Sequence, residues 1–414
     1  MNESGSSAPR VRTLTDDELI DGSRLVATAM LGDVGDEASR GWAATFEPAR
    51  THGAFAPEGT LVGLARWFQT RLSIPGGDVP AAAVTAVGVL PTHRREGHLT
   101  RLMSAQLEAI RAEQVPVALL VAAEWPIYGR FGYGPAVDAC GWNLDATAAR
   151  FRAPVAGAVE LCTPAELRPH LERVHDLRWT RTSGAVTREP YAWDILAGVR
   201  GWPGRPFEPG KHRGAIWRDD AGAVMGAAAY TVHEGWTNNR PAGRAEVQLL
   251  VGATPEAERE LWRHLCDIDW VRTVSAGNRG VDDPLPYQVV DGRAVTAVDH
   301  FDCIWARLLD VPASLGARRS VRAGQAVVEV IDPLSYAAGR WSVELGPDGA
   351  EVAATTAPAD VTLPVTALSA AYFGGRSLRR LQEAGWLDEG AAGGIDRLDG
   401  LLSTPTAPWS PTTY

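Results

Sequence analysis

The sequence predicts an α/β (α+β) protein built as three successive units, and three observations carry that prediction. Over residues 1–150, apolar β-branched runs alternate with helix-period segments. The alternation returns over residues 151–304, with a strand-to-helix passage in "EVQLLVGATPEAERELWRHLCDI". Over residues 305–414, short runs separated by turns precede brief helices, the pattern of a smaller α+β unit. A chain of 414 residues that is 45% hydrophobic is long and apolar enough for cores in all three.

In the first unit, the cap Thr15 introduces a helix over Asp16–Met30. Strands follow at Gly59–Gln69 and Val84–Leu90, then a helix over Leu99–Glu113 and an apolar run at Val117–Ala123. That run leads into a loop, "EWPIYGRFGYGPA". The second unit places helices in "TPAELRPHLERVHDLRW" and "YAWDILAG", with strands near Arg213–Trp217 and Val224–Val232. In the third, "QAVVEVID", "GRWSVELGPDG" and "DGAEVAATTAPADVTLP" read as antiparallel strands, and "VTALSAAYFGG" and "SLRRLQEAGWL" as closing helices. The last segment, "STPTAPWSPTTY", carries three prolines and no periodicity.

Composition narrows the function classes. No apolar run approaches the roughly 18 residues needed to cross a bilayer; the densest, Val115–Ala123, contains Pro116. The opening "MNESGSSAPR" lacks the apolar centre of a secretory signal and reads as a frayed tail, so a cytoplasmic protein is expected. Cys140, Cys162, Cys266 and Cys303 form no C-x-x-C, and His170 and His175 lie five apart on different helix faces. Reduced thiols and no metal are expected. A net charge of −10 argues against a nucleic-acid partner and leaves room for a cationic small molecule.

The stretch "TAVGVLPTHRREGHLTRLM", Thr85–Met103, carries the chemistry. A strand stops at Pro91, and Arg94, Arg95 and Gly97 stand between it and a helix. A helix N-terminus offers unpaired N–H groups and positive dipole, and a glycine lets that backbone approach a phosphate closely. Two arginines add charge that never titrates and forks onto phosphate oxygens. The device suits a pyrophosphate, although a solvated basic turn has the same composition. Neither G-x-x-x-x-G-K-[ST] nor a strand followed by G-x-G-x-x-G occurs here.

Strand, Arg-Arg-x-Gly, helix resembles the acetyl-CoA loop of the GNAT superfamily of N-acetyltransferases. Leu99, where a small residue is usual, and "PTHRREGHLTRLM" as a whole resemble the enhanced intracellular survival (Eis) family of actinobacterial acetyltransferases. "IYGRFGYGPA", "DDPLPYQVV", "WARLLDVPASLGAR" and "DVTLPVTALSAAYFGGRSL" extend that resemblance along nearly the whole chain. The resemblance implies two fused GNAT-like domains, 1–150 with the acetyl-CoA site and 151–304 without a cofactor loop, then a sterol-carrier-protein-like domain over 305–414. A homohexamer is implied as well.

Site residues follow from the same resemblance. Val87, Gly88 and Val89 would face the pantetheine arm and thioester. Arg95, Glu96, Gly97, His98, Leu99 and Thr100 would hold the pyrophosphate with Arg94 beside them, and Ala123 and Glu124 would touch the cofactor from the neighbouring strand. Tyr128 matches the family's general acid, a phenol protonated at neutral pH; a Tyr between glycines can also simply pack a loop, which suits Tyr133. The carboxylate of Tyr414 matches the family's general base, although chain ends are ordinarily loose. Asp33, Asp36 and Trp42 lie near the expected acceptor pocket, where acids would attract ammonium groups and Trp42 would pack on a sugar or cation; surface or core is the ordinary fate of such residues. The implied activity is acetyl transfer to primary amines of aminoglycoside-like polyamines. The alternatives are a lysine or peptide acceptor, or a non-catalytic CoA- or lipid-binding protein.

Overall fold

The computed structural model describes residues 10–152 and 154–414. Of the frayed tail expected over Met1–Arg10, all but Arg10 lies outside the described residues, and Arg10 already belongs to a strand. The strands up to Leu308 are β1 (Arg10–Thr13), β2 (Thr51–Phe55), β3 (Leu61–Ile74), β4 (Gly77–Val89), β5 (Val117–Leu120), β6 (Gly134–Asp145), β7 (Ala158–Cys162), β8 (His212–Arg218), β9 (Val224–His233), β10 (Trp236–Thr237), β11 (Arg240–Pro241), β12 (Gly243–Gly252), β13 (Val271–Arg279) and β14 (Val295–Leu308). All but the small β10–β11 ribbon join one twelve-stranded sheet, in the order β1-β2-β3-β4-β5-β14-β6-β13-β12-β9-β8-β7.

The order departs from the chain at β14. This strand comes from the second half of the sequence, yet lies between β5 and β6, pairing Trp305 with Leu120 and Ala306 with Gly134. On its other edge β6 pairs with β13, so the sheet runs unbroken from the first unit into the second. The division at 304/305 drawn from the sequence cuts β14, which stays whole in the sheet.

The helices that position the site are α1 (Leu19–Ala29), α2 (Asp36–Ala43), α3 (His98–Ala112) and α4 (Trp125–Tyr128). The helix expected from Asp16 begins as a 3-10 turn, with α1 proper starting at Leu19. The strand expected over Gly59–Gln69 runs on to Ile74, its residues buried nearly throughout because the sheet is covered on both faces. The loop "EWPIYGRFGYGPA" contains α4 and a 3-10 turn, Gly129–Phe131, before β6 begins.

Beyond Leu308, a five-stranded sheet packs on the large one. Its strands are β15 (Gly324–Ile331), β16 (Gly339–Leu345), β17 (Ala350–Ala354), β18 (Val361–Pro364) and β19 (Asp388–Glu389), in the order β17-β16-β15-β18-β19. One core spans the junction, joining Leu72, Val117 and Ile304 of the large sheet to Val328, Leu363 and Phe373. The contact is tight enough to require glycine: a Cβ on Gly134 would meet the Thr366 carbonyl oxygen at 2.1 Å. Among the described residues, no helix is long and apolar enough to cross a membrane.

A buried ion pair pins this junction. Arg307, on β14, donates from Nη2 to Asp332 at 2.7 Å and from Nε to the Phe131 carbonyl at 2.7 Å. Both side chains are fully shielded from solvent. Asp332→Ala strands the guanidinium in a dry interior, so a loss of about 3–5 kcal/mol is expected, read as a lower midpoint in thermal or denaturant unfolding.

Candidate active site

The site grows from an irregularity in β4. This strand pairs in parallel with β5 from Ala81–Val117 to Val84–Leu120. There β5 stops while β4 runs on to Val89, which opens a wedge between them. Against β3 the register shifts: Leu64 faces Gly88, but Arg66 faces Thr85, so Ala86 and Val87 together oppose Ala65. That is a β-bulge, and Ala86 carries a positive φ of 52°, a region costly for a residue with a Cβ. Thr85, Ala86 and Val87 line a cavity of about 600 Å³ at the wedge. Gly88 and Val89 continue the strand towards the loop that follows.

That loop turns through Pro91–His93 and reaches α3 by two left-handed residues, Arg95 at φ 69° and Gly97 at φ 80°. Arg94, Arg95 and Glu96 are exposed, and neither arginine has an ion-pair partner among the described residues. Arg101 fastens the turn by donating to the Glu96 carbonyl at 2.8 Å. The His98 ring is buried beneath it, 3.3 Å from the Glu96 carboxylate. The backbone N–H groups of His98, Leu99 and Thr100 form the first turn of α3 and have no intrahelical acceptor. Gly97→Val forces a side chain into the left-handed region at a cost of about 1–3 kcal/mol, and Arg95→Met removes one of the turn's two exposed positive charges. On the sequence-based expectation that this turn holds the pyrophosphate of acetyl-CoA, each is expected to raise the acetyl-CoA Kd about tenfold or more, checked by isothermal titration.

Tyr128 closes the other side of the cavity. It ends α4, is buried, and packs edge-on against Tyr133 with ring centroids 6.2 Å apart. Burial, with the Glu124 carboxylate adding to it, raises its phenol above the ordinary 10.0. Tyr133 is wholly buried, and its hydroxyl has no hydrogen-bond partner among the described residues. Ala123 lines the cavity, while Glu124 occupies the N-cap of α4.

Tyr414 lines the same cavity, its ring edge-on to Phe68 at 5.6 Å. The tail leading to it is not loose, because the second unit holds it residue by residue. Ala407 N–H donates to Asp282 at 2.6 Å, and Trp409 N–H to the Ser183 carbonyl at 2.8 Å. The Trp409 indole donates to Asn278 at 3.1 Å and stacks under Arg279 at 4.7 Å. Asn278 donates to the Ser410 carbonyl at 3.0 Å, and Arg188 to that of Pro411 at 2.7 Å. Trp193 is core, packed beneath the Arg188 guanidinium at 4.4 Å.

Of the three acceptor-side residues expected from sequence, two reach the cavity. Asp33 lines it, as does Trp42, which stacks on Trp202 at 5.4 Å. Asp36 does not: its carboxylate pairs with Arg24 and Arg40 on the exposed side of α2, because those arginines lie within reach along and beside the helix. Sequence reasoning passed over Phe46, Arg66, Phe68, Tyr191 and Trp202, which also line the cavity. The signal for Arg66 was there, a charge set inside the otherwise apolar run "LVGLARWF".

Comparison with known proteins agrees with this geometry. Residues 10–136 and 184–308 each match an acetyltransferase (GNAT) domain, and residues 311–411 a sterol carrier protein domain. An N-acetyltransferase of Streptomyces avermitilis, itself uncharacterised, is 35% identical over 98% of both chains. The N-acetyltransferase Eis of Mycobacterium tuberculosis is 32% identical over 92% of this chain and 94% of its own. The crystal structure of Eis1 from Mycobacterium abscessus superposes with a TM-score of 0.85, at 32% identity, over 98% of this chain and all of that one. With two GNAT domains, a sterol-carrier-protein-like third domain and full-length relatives, this chain belongs to the Eis family of GNAT N-acetyltransferases.

Proposed function

We propose that this N-acetyltransferase moves the acetyl group of acetyl-CoA to a primary amine of a small molecule seated in the 600 Å³ cavity. Tyr128 is the general acid in this reading, and the C-terminal carboxylate of Tyr414 the general base. The observation that carries it is convergence: Tyr128, Tyr414 and the bulged Thr85–Val87 segment, from three distant parts of the chain, line one cavity.

The chemistry balances on these groups. The carboxylate takes a proton from the ammonium, and the free amine attacks the thioester carbonyl carbon. As the C–N bond forms, negative charge gathers on oxygen, beside backbone groups of the bulge that β5 leaves unpaired. The C–S bond then breaks, Tyr128 gives its proton to the departing thiolate, and the phenolate so formed takes up the second proton, which the acetylated nitrogen sheds. The loop Arg94–Thr100 holds the pyrophosphate, which orients the thioester.

An aminoglycoside-like polyamine, acetylated at one or more positions, is the acceptor the family resemblance implies. Trp42, Phe46, Phe68, Tyr191 and Trp202 give such a ring faces to pack on. The charge of the lining favours a polycation less: Asp33 and the terminal carboxylate are matched by Arg66 and Arg205. A homohexamer is proposed on family grounds, and light scattering giving six times the chain mass would bear it out. The deciding experiment follows thiol release from acetyl-CoA with aminoglycosides, simple polyamines and lysine peptides. Amine-dependent release supports the enzyme, whereas acetyl-CoA binding without release from any acceptor favours the non-catalytic alternative.

A further inference from the structure

Among the described residues, Arg66 is the one ionisable basic side chain buried in the cavity wall, and its position is costly. It lies on β3 with 3% of its surface exposed, facing Thr85 across the bulge. Its guanidinium sits over the rings of Phe46 at 4.9 Å and Phe68 at 5.6 Å. Nη1 donates to the Thr45 hydroxyl at 2.9 Å, while Nε is buried with no hydrogen-bond partner among the described residues. Among the described residues, no carboxylate forms an ion pair with it. Tyr191, then Glu189 and Glu47, are the acidic groups that feel its charge; all three line a second cavity of about 400 Å³, and Glu189 Oε2 is itself buried with no hydrogen-bond partner among the described residues. Glu47 is itself paired with Arg50.

A buried guanidinium with unspent donors is normally neutralised by a carboxylate in contact. Here the cavity that Arg66 lines is the acceptor cavity, which both flanking phenyl rings also line. Two aromatic faces hold the fork in place, so a ligand oxyanion would meet a preorganised partner. The rings also supply flat apolar walls for the body of that ligand.

We propose that Arg66 is a specificity-determining residue that binds an oxyanion, carboxylate or phosphate, carried by a ring-bearing amine acceptor. The inference rests on the reading above that this cavity holds the amine. It makes the preferred acceptor a zwitterion: the amine lies towards Tyr128 and Tyr414, and the anion towards β3. A neutral amine of the same shape would leave the guanidinium unpaired and lose affinity. A polycation would add like charge beside it.

The test compares matched acceptors: 4-(aminomethyl)benzoate, 4-(aminomethyl)phenyl phosphate, benzylamine and a polyamine aminoglycoside. The wild type is expected to favour an anionic acceptor over benzylamine by about thirtyfold in kcat/KM, the size of one charge-assisted contact. The larger of the two anionic rates tells carboxylate from phosphate. Arg66→Met should bring the ratio to benzylamine close to one, and Arg66→Lys should restore part of it, with thermal melts showing both variants folded. A wild-type ratio near one, a ratio unmoved in Arg66→Met, or a stronger preference for the aminoglycoside overturns the proposal. If no acceptor is acetylated, the enzyme reading falls, and calorimetry with the two anionic amines decides the rest. Binding lost in Arg66→Met upholds the oxyanion site, and no binding to the wild type removes it.

Discussion

Deleting Tyr414 is expected to lower kcat by about 10²–10⁴-fold, the range of a general base, with acetyl-CoA binding close to that of the full chain. The anchors from Ala407 to Pro411 remain in the shortened tail, so the new terminal carboxylate stops about 3.5 Å short of the old one. Tyr414→Phe is the informative partner. Its main-chain carboxylate is intact, and the hydroxyl it removes is buried with no hydrogen-bond partner among the described residues. It should therefore keep its kcat and melt no lower than the wild type. Trp409→Ala tests the tail from its middle, since it removes the indole bond to Asn278 and the stack under Arg279. A fall in kcat there, with acetyl-CoA affinity kept, would place the second unit in charge of where the chain ends. Single-turnover rates separate these cases from slow product release.

Tyr128→Phe is the second large effect, again about 10²–10⁴-fold in kcat, with little change in KM for either substrate. The ring stays to pack against Tyr133, and only the proton is lost. The pH profile supplies an independent check. Burial, then the Glu124 carboxylate, raises the Tyr128 phenol above 10.0, so the acid stays protonated through neutral pH. This group should impose no alkaline fall in kcat until beyond pH 10.0. An alkaline limb near neutrality that vanishes in Tyr128→Phe would contradict the assignment.

The parts legible in the sequence are those where one residue type has one physical use. Arg94, Arg95 and Gly97 between a strand and a helix announce a basic turn with left-handed backbone, and the structure has Arg95 and Gly97 at positive φ there. Tyr128 and Tyr414 came through the family resemblance, not from their own spacing. Ala86 was invisible: an alanine gives no sign of a bulge, and its positive φ comes from the two-against-one register with β3. Asp36 was misplaced because the partner that turns it away, Arg24, lies on another helix. Arg66 was overlooked for the opposite reason, since a strand alternation absorbs one odd residue until burial shows the charge is not at the surface. The position of β14 was beyond reach, because strand order across 160-odd residues has no local signal.

That position of β14 bears on how the protein can be dissected. The span matched by the first GNAT model ends at residue 136, which excludes β14 and most of β6. Expressed alone, such a fragment would leave β5 as a bare apolar edge, with Leu119 and Leu120 ready to recruit a strand from another molecule. The fragment should aggregate even though it contains the whole Arg94–Thr100 turn. A piece with the first sheet complete must run at least through Leu308, and one that keeps the proposed base must run to Tyr414; during synthesis the first sheet has to wait, incomplete, for a strand made more than a hundred residues later.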